Sequence, residues 1–209
     1  MHQPPTLKIN EIFSSIQGEG LRQGEPTLFI RLSECNLKCD FCDTKYAWQA
    51  GQEMTIDLIL KKVKKISSAF PAKWVCLTGG EPLLQNIGGL VRRLKAEGYK
   101  VQVETNATLS RPLAVNWYTI SPKPPDYFYQ PDYRKKAKEI KIVVIEGLDL
   151  GVLKRLRKDF PEKIPLLLQP QSNSQSSAKL AIKLLKQALN IGIKNVRLTA
   201  QIHKIFRWR

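Results

Sequence analysis

Residues Arg31 to Trp48 read RLSECNLKCDFCDTKYAW, and the reading of the whole chain turns on the cysteines at Cys35, Cys39 and Cys42. Disulfides take cysteines in twos, and a structural zinc ion takes four ligands. The remaining cysteine, Cys76, lies in the apolar run WVCLTGG, where a buried structural thiol is the plain expectation. Zinc completed by Cys76 or His203 is one reading, although no second paired C-x2-C unit exists. The other is a 4Fe–4S cluster, which normally takes four thiolates. With three, one iron stays open to bind a small molecule and pass it an electron.

The composition sets bounds on the rest. The chain has 209 residues, enough for one domain, 1–209, with a substantial core. Charged residues make up 25% and Lys and Arg number 34 against 18 Asp and Glu, giving +16. The basic residues are dispersed, as in KKVKK at Lys61 to Lys65, and read as solvated helix faces; no direct contact with nucleic acid is expected. Such a field also favours an acidic substrate. So few cysteines exclude a secreted disulfide framework. No run is apolar enough to cross a bilayer, and MHQPPTLKIN has no signal-peptide core, so a cytoplasmic location without membrane contact is expected.

Apolar spacing alternates between strand and helix. TLFIRL (Thr27 to Leu32) reads as the first strand, followed by strands at Trp74 to Gly80, Lys100 to Thr105, Trp117 to Ser121, Glu139 to Ile145, Ile164 to Pro170 and Lys194 to Thr199. Helical stripes run from Ile56 to Ile66, from Leu83 to Leu94 with Gly98 as the cap, and from Ala178 to Asn190; Asp149 caps another that ends before Pro161. Strands separated by helices imply right-handed crossovers and a parallel sheet. The connections after the third and fifth strands carry no strong helix, which shortens the barrel. The expectation is an α/β fold, an abbreviated partial (β/α) barrel with a mainly parallel sheet.

Chemistry in such sheets gathers at the carboxyl ends of the strands. The cysteine loop, TGGEP (Thr78 to Pro82), ETNAT (Glu104 to Thr108), SPK (Ser121 to Lys123) and LQP (Leu168 to Pro170) all fall there. Taken alone, TGGEP is an ordinary strand-to-helix turn with Pro82 in the first helical turn. Ahead of the first strand, EIFSSIQGEG (Glu11 to Gly20) is either a polar hairpin turn or a tight backbone next to a ligand, where Gln17 and Glu19 suit the edge of a heterocycle. Thr44, beside the last cysteine, offers an oxygen to a hard cation such as Mg2+.

The C-x3-C-x2-C spacing, with Phe41 before the last cysteine, resembles the radical S-adenosylmethionine (SAM) superfamily. Together with IQGEG, Arg31, CDT, TGGEP, SPK, LQP and the terminal QIHK, it resembles the 7-carboxy-7-deazaguanine synthase family from about Ile9 to Lys204. The resemblance implies a 4Fe–4S cluster on Cys35, Cys39 and Cys42, with SAM on its open iron. Phe41, Cys42, Asp43, Gly79, Gly80, Glu81, Glu104, Asn106, Ser121, Pro122, Lys123 and Gln169 would hold SAM. The substrate would be 6-carboxy-5,6,7,8-tetrahydropterin, contacted by Ile16, Gln17, Gly18, Glu19, Thr78 and His203, with Arg31 on its carboxylate and Mg2+ bridging it to Thr44. A 5′-deoxyadenosyl radical would take hydrogen from C6, the ring would contract, ammonia would leave, and SAM would be regenerated. A homodimer, with the aromatic loop Tyr127 to Tyr133 as contact, and a flavodoxin or ferredoxin donor complete what the resemblance implies. The alternatives are a glycyl-radical activase, which does not account for IQGEG or Thr44, and a zinc-containing nucleic-acid-binding module.

Overall fold

Seven strands that all run the same way build most of the sheet, and their carboxyl ends therefore meet at one rim. The computed structural model describes residues 5–208; residues 1–4 of the amino-terminal stretch and residue 209 lie outside it. The strands are β1 (Thr6–Ile16), β2 (Pro26–Leu32), β3 (Gln52–Thr55), β4 (Trp74–Gly79), β5 (Lys100–Thr105), β6 (Trp117–Ile120), β7 (Glu139–Val144), β8 (Leu166–Pro170) and β9 (Val196–Leu198). They form one open sheet in the order β3-β1-β2-β4-β5-β6-β7-β8-β9. From β2 to β9 every pairing is parallel; β1 pairs antiparallel with both β2 and β3.

The antiparallel margin corrects the sequence reading, which began the sheet at TLFIRL. The register between β1 and β2 shifts between Ile9 and Glu11. An extra residue at such a bulge turns later side chains to the opposite face. Leu7 and Ile9 are buried in the core, whereas Glu11, Phe13 and Ser15 line the cavity described below.

Four helices cover one face: α1 (Ile56–Ala69), α2 (Gly88–Ala96), α4 (Leu150–Asp159) and α5 (Gln175–Asn190); α3 (Tyr133–Lys136) and α6 (Ile202–Ile205) are single turns. Side chains of Thr55, Asp149 and Ser174 accept backbone N–H bonds at the starts of α1, α4 and α5. Ile59, Leu60 and Val63 of α1, Leu90 and Leu94 of α2, Leu153 and Leu156 of α4, and Leu184 of α5 pack into one core with the outward residues of the strands. α2 starts at Gly88, later than its stripe suggests. Gln85 remains extended, and its side chain accepts from Lys8 N at 2.7 Å and donates to Lys8 O at 3.0 Å, fastening β1.

The helix-poor connections follow β5 and β6. That after β7, read as lacking a strong helix, carries α4, with the predicted Asp149 cap. Tyr127, Tyr129 and Tyr133, expected at a subunit contact, turn into this chain's own core, and of the aromatic residues in this loop only Phe128 is exposed. Among the described residues no helix is long and apolar enough to cross a membrane.

Candidate active site

The inner face of the sheet is polar on alternate residues. Gln102 and Glu104 on β5, Thr119 on β6, Glu139 and Lys141 on β7 and Gln169 on β8 alternate with apolar residues that face the helices. Above them, at the carboxyl rim, lies a cavity of about 390 Å³. Cys35, Cys39, Cys42, Phe41, Asp43 and Thr44 line it from the loop after β2, and Ile16, Gln17, Gly18 and Glu19 from the end of β1. Arg31, Thr78, Gly79, Gly80, Glu104, Asn106, Ser121, Lys123, Gln169 and His203 complete the set expected from the sequence. Of the expected residues, Glu81 and Pro122 do not reach it.

The cysteine loop is a compact turn. Cys42 N donates to Cys39 O at 3.0 Å, and Glu34 and Lys38 adopt left-handed backbone angles of 73° and 48°. The three thiols are free and half-buried. Cys42 Sγ lies 3.5 Å from Thr44 Oγ1. Among the described residues no three His, Cys, Asp or Glu side chains close on a single ion. Three thiols on one wall suit a cluster that takes one thiolate per iron. Cys76 does not join them: it is fully buried in β4, its Sγ 3.7 Å from Glu104 Oε1.

Gly79 and Gly80 have a protein-side reason to be glycine. A Cβ on Gly79 would lie 2.1 Å from Leu32 O, and one on Gly80 1.9 Å from Glu34 O. The TGGEP backbone therefore lies directly against the base of the cysteine loop, and Glu81 N donates to Glu34 O at 2.8 Å. The Glu81 carboxylate is occupied within the protein. It is fully buried, with Oε1 accepting from Leu83 N at 2.9 Å and Thr105 Oγ1 at 2.8 Å, and Oε2 from Asn106 N at 2.8 Å. Burial raises its pKa, and these donors oppose the rise. Pro122 is buried behind the rim.

On the opposite wall α6 lies across the end of β1. Ile202 N donates to Gly18 O at 2.9 Å, and the His203 ring occupies the space a Cβ on Gly18 would fill. Gln201 Nε2 donates to Glu19 Oε1 at 2.6 Å and to Asp43 Oδ2 at 2.9 Å, and Lys204 Nζ to Asp43 Oδ2 at 2.6 Å. Partial burial pushes the Asp43 carboxyl up, but the bonds from Lys204 and Gln201 outweigh it and hold the group at about 2. Burial lowers the His203 pKa.

Arg31 Nε donates to Glu11 Oε1 at 2.7 Å, and its guanidinium lies 5.6 Å from the Phe13 ring centroid and 5.7 Å from that of Tyr46. Lys123 Nζ is 2.5 Å from Ser121 Oγ, with a pKa lowered by burial. Gln169 Oε1 is buried without a hydrogen-bond partner while its side chain lines the cavity. Such an atom costs about 1–3 kcal/mol unless something else bonds it.

Among the lining residues that the sequence reading missed, two hold the site's charged groups in place. Gln201, the first residue of QIHK, ties two loops together. Lys141 is almost fully buried, with Nζ paired to Glu19 and, at 3.0 Å, to Glu104 Oε2. The signal was the alternation E-I-K-I in β7, matching Q-V-E in β5: charges at period two inside a strand otherwise apolar on both sides.

Comparison with known proteins agrees with this geometry. Residues 30–151 match the Radical SAM superfamily. The chain is 37% identical to the 7-carboxy-7-deazaguanine synthase of Aquifex aeolicus, over 96% of this chain and 93% of that protein. It is 36% identical to that of Buchnera aphidicola subsp. Schizaphis graminum, over 96% and 98%. The crystal structure of QueE from Escherichia coli superposes with a TM-score of 0.77 at 28% identity, covering 94% of each chain. Streptococcus suis SuiB bound to S-adenosylmethionine, at 15% identity and a TM-score of 0.59 over 80% of this chain and 48% of that one, shares the fold.

Proposed function

The chain belongs to the 7-carboxy-7-deazaguanine synthase family of the radical SAM superfamily, and from that membership we infer that it converts 6-carboxy-5,6,7,8-tetrahydropterin to 7-carboxy-7-deazaguanine with loss of ammonia. The observation that carries this reading is the single rim cavity on which three thiols, the TGG backbone and the IQGEG turn face one another.

Cys35, Cys39 and Cys42 would hold a 4Fe–4S cluster. When bound and reduced, that cluster supplies the electron that cleaves S-adenosylmethionine to methionine and a 5′-deoxyadenosyl radical. The chain's own task is containment and orientation. Phe41, Asp43, Gly79, Gly80, Asn106, Ser121, Lys123 and Gln169 line the SAM side, where Lys123 offers a cation to a carboxylate and Gln169 an unused acceptor to an amine. Ile16, Gln17, Gly18, Glu19, Thr78 and His203 form the pterin side. Arg31 lies at the edge, where its planar guanidinium suits the substrate carboxylate. Thr44 Oγ1 would be the protein's ligand for Mg2+. The walls around these groups exclude water and stray hydrogen donors.

Residues 1–209 act as one catalytic unit in this reading. It is a cytoplasmic homodimer that takes its electron from a flavodoxin or ferredoxin, and its product enters the synthesis of 7-deazapurines, including queuosine of tRNA.

The test is an anaerobic assay of reconstituted protein with SAM, dithionite, Mg2+ and 6-carboxytetrahydropterin, read by mass spectrometry. A product lighter by one ammonia, with SAM not consumed in proportion, is the expected result. Accumulating 5′-deoxyadenosine with intact pterin would retain the radical SAM core and overturn the substrate.

A further inference from the structure

Lys141 and the two carboxylates around it form the most costly group in the cavity. Its side chain is 8% exposed, and its ammonium pairs at once with Glu19, from the IQGEG turn, and with Glu104 Oε2 at 3.0 Å, from the end of β5. Both carboxylates line the cavity, and each has a second anchor. Glu19 Oε1 accepts from Gln201 Nε2 at 2.6 Å, and Glu104 Oε1 from Gln17 Nε2 at 3.0 Å.

Burying a charge costs several kcal/mol per ion before its partner compensates. The flanking Ile140 and Ile142 are fully buried, so an apolar residue at 141 would prolong an apolar strand at no such cost. One ammonium also needs only one carboxylate, yet here it fixes two, and both are presented to the cavity. The ligand edge that matches paired ionised acceptors is a row of N–H donors. A 2-amino-4-oxo-pyrimidine ring carries such a row, in its ring N–H and exocyclic amine. A carboxyl that held its proton would present a donor to a donor.

We propose that Lys141 is a positioning residue: its two ion pairs aim the Glu19 and Glu104 carboxylates as acceptors for the N–H edge of the pterin. The inference rests on the substrate reading above and moves Glu104 from the SAM side to the substrate side. The charged groups facing the trio are Asp43 from the cysteine loop, Lys123 from the β6 end, Glu139 from β7 itself, and His203 and Lys204 from α6. Arg22 and Cys76 lie beneath it. Without Lys141 the nearby carboxylates face one another with no ammonium between them, and the first to take a proton as pH falls turns an O–H donor toward the N–H donors of the pterin.

The test compares wild type, Lys141→Gln and Lys141→Arg as reconstituted holoenzymes, measuring KM and kcat for 6-carboxytetrahydropterin at about pH 6 and about pH 8.5. Wild-type KM is expected to vary less than about twofold between them. In K141Q, KM is expected to rise about tenfold at the lower pH and less at the higher, the size of one lost bond to a charged acceptor. Iron content and substrate-free SAM cleavage should stay at the wild-type level, and K141R should recover most of the KM. A KM in K141Q that matches wild type at both pH values, a loss equal at both, or a loss in kcat alone would overturn the proposal. If K141Q loses its iron, Glu104→Gln, which leaves the Lys141–Glu19 pair in place, takes over the test: a raised pterin KM supports the assignment, and an unaltered KM overturns it. A wild-type enzyme that makes no deazaguanine product overturns the substrate reading itself, and this inference falls with it.

Discussion

The Glu81 carboxylate receives the backbone N–H of Asn106 over 2.8 Å, so the loop after β4 is fastened to the loop after β5 from within the protein. The Leu83 N–H and the Thr105 hydroxyl add two more donors to the same side chain. An amide at this position would turn an N–H toward one of them. Glu81→Gln is expected to cost about 1–3 kcal/mol, because a buried donor is left unmatched. For a chain of this length that lowers Tm by about 2–4 °C per kcal/mol. Thermal scans of the reconstituted protein check this; an unaltered Tm would show that the three bonds contribute nothing to stability.

Two glycine substitutions should separate fold from substrate handling. Gly80→Ala drives a Cβ to 1.9 Å from a backbone oxygen of the cysteine loop, which cannot move aside cheaply. It should lower both iron content and Tm, by about 1–3 kcal/mol of overpacking. Gly18→Ala meets the His203 ring instead, 1.8 Å from Nδ1, and a ring can rotate. Its Tm and iron should hold while pterin KM rises. Equal iron loss in the two variants would contradict the distinction.

Thr44→Ala removes the hydroxyl next to Cys42 and no thiol. Iron content should be kept and the stimulation of activity by added Mg2+ should weaken. A full Mg2+ response in this variant would remove Thr44 as the ligand.

Cys76→Ser should leave iron and sulfide unaltered, since this thiol points to Glu104 inside the sheet and not to the cavity. Loss of iron would mean that a fourth cysteine takes part after all.

Alkaline pH should destabilise the fold through Tyr118. Its hydroxyl is buried without a hydrogen-bond partner, and burial pushes its pKa up to about 12. Unfolded tyrosine ionises near 10. Between these values the unfolded chain binds fewer protons than the folded one, so stability falls as pH rises from about 10 and levels off above about 12. Tyr133, edge-on to Tyr118 at 5.5 Å and raised by the same burial, acts in the same direction. Urea midpoints at about pH 9 and 11 measure the slope, and Tyr118→Phe should reduce it. A slope unaltered by that substitution would assign it to other groups.

The parallel strands and the rim cavity were legible in the sequence because each strand end carries polar residues that a plain turn does not need. The antiparallel β1 was not. Its bulge between Ile9 and Glu11 reverses which side of the strand faces the core, so the twofold alternation that marks a strand breaks in the middle. Lys141 was hidden for a related reason: in EIKIVV the apolar residues define the strand, and the inward charges read as interruptions. Glu81 was legible as important, but two of its three partners come from residues 105 and 106, whose closeness only the sheet order creates. Gln201 acts through neighbours at positions 19 and 43, and no local pattern announces contacts at such separations.

The turn of α6 across Gly18 and Glu19 has a consequence for the order in which the enzyme becomes competent. The cysteine loop closes locally, within residues 35–42. The opposite wall needs Gln201 and Glu19 to meet across 182 positions of chain. Contacts of such long sequence separation carry the largest closure entropy and form late. The cysteine loop and the wall opposite it thus draw on contacts of very different sequence separation. A cluster held by the loop alone would stand open to solvent and to oxygen, and the docking of α6 on Gly18 and Glu19 is what would close the chamber over it.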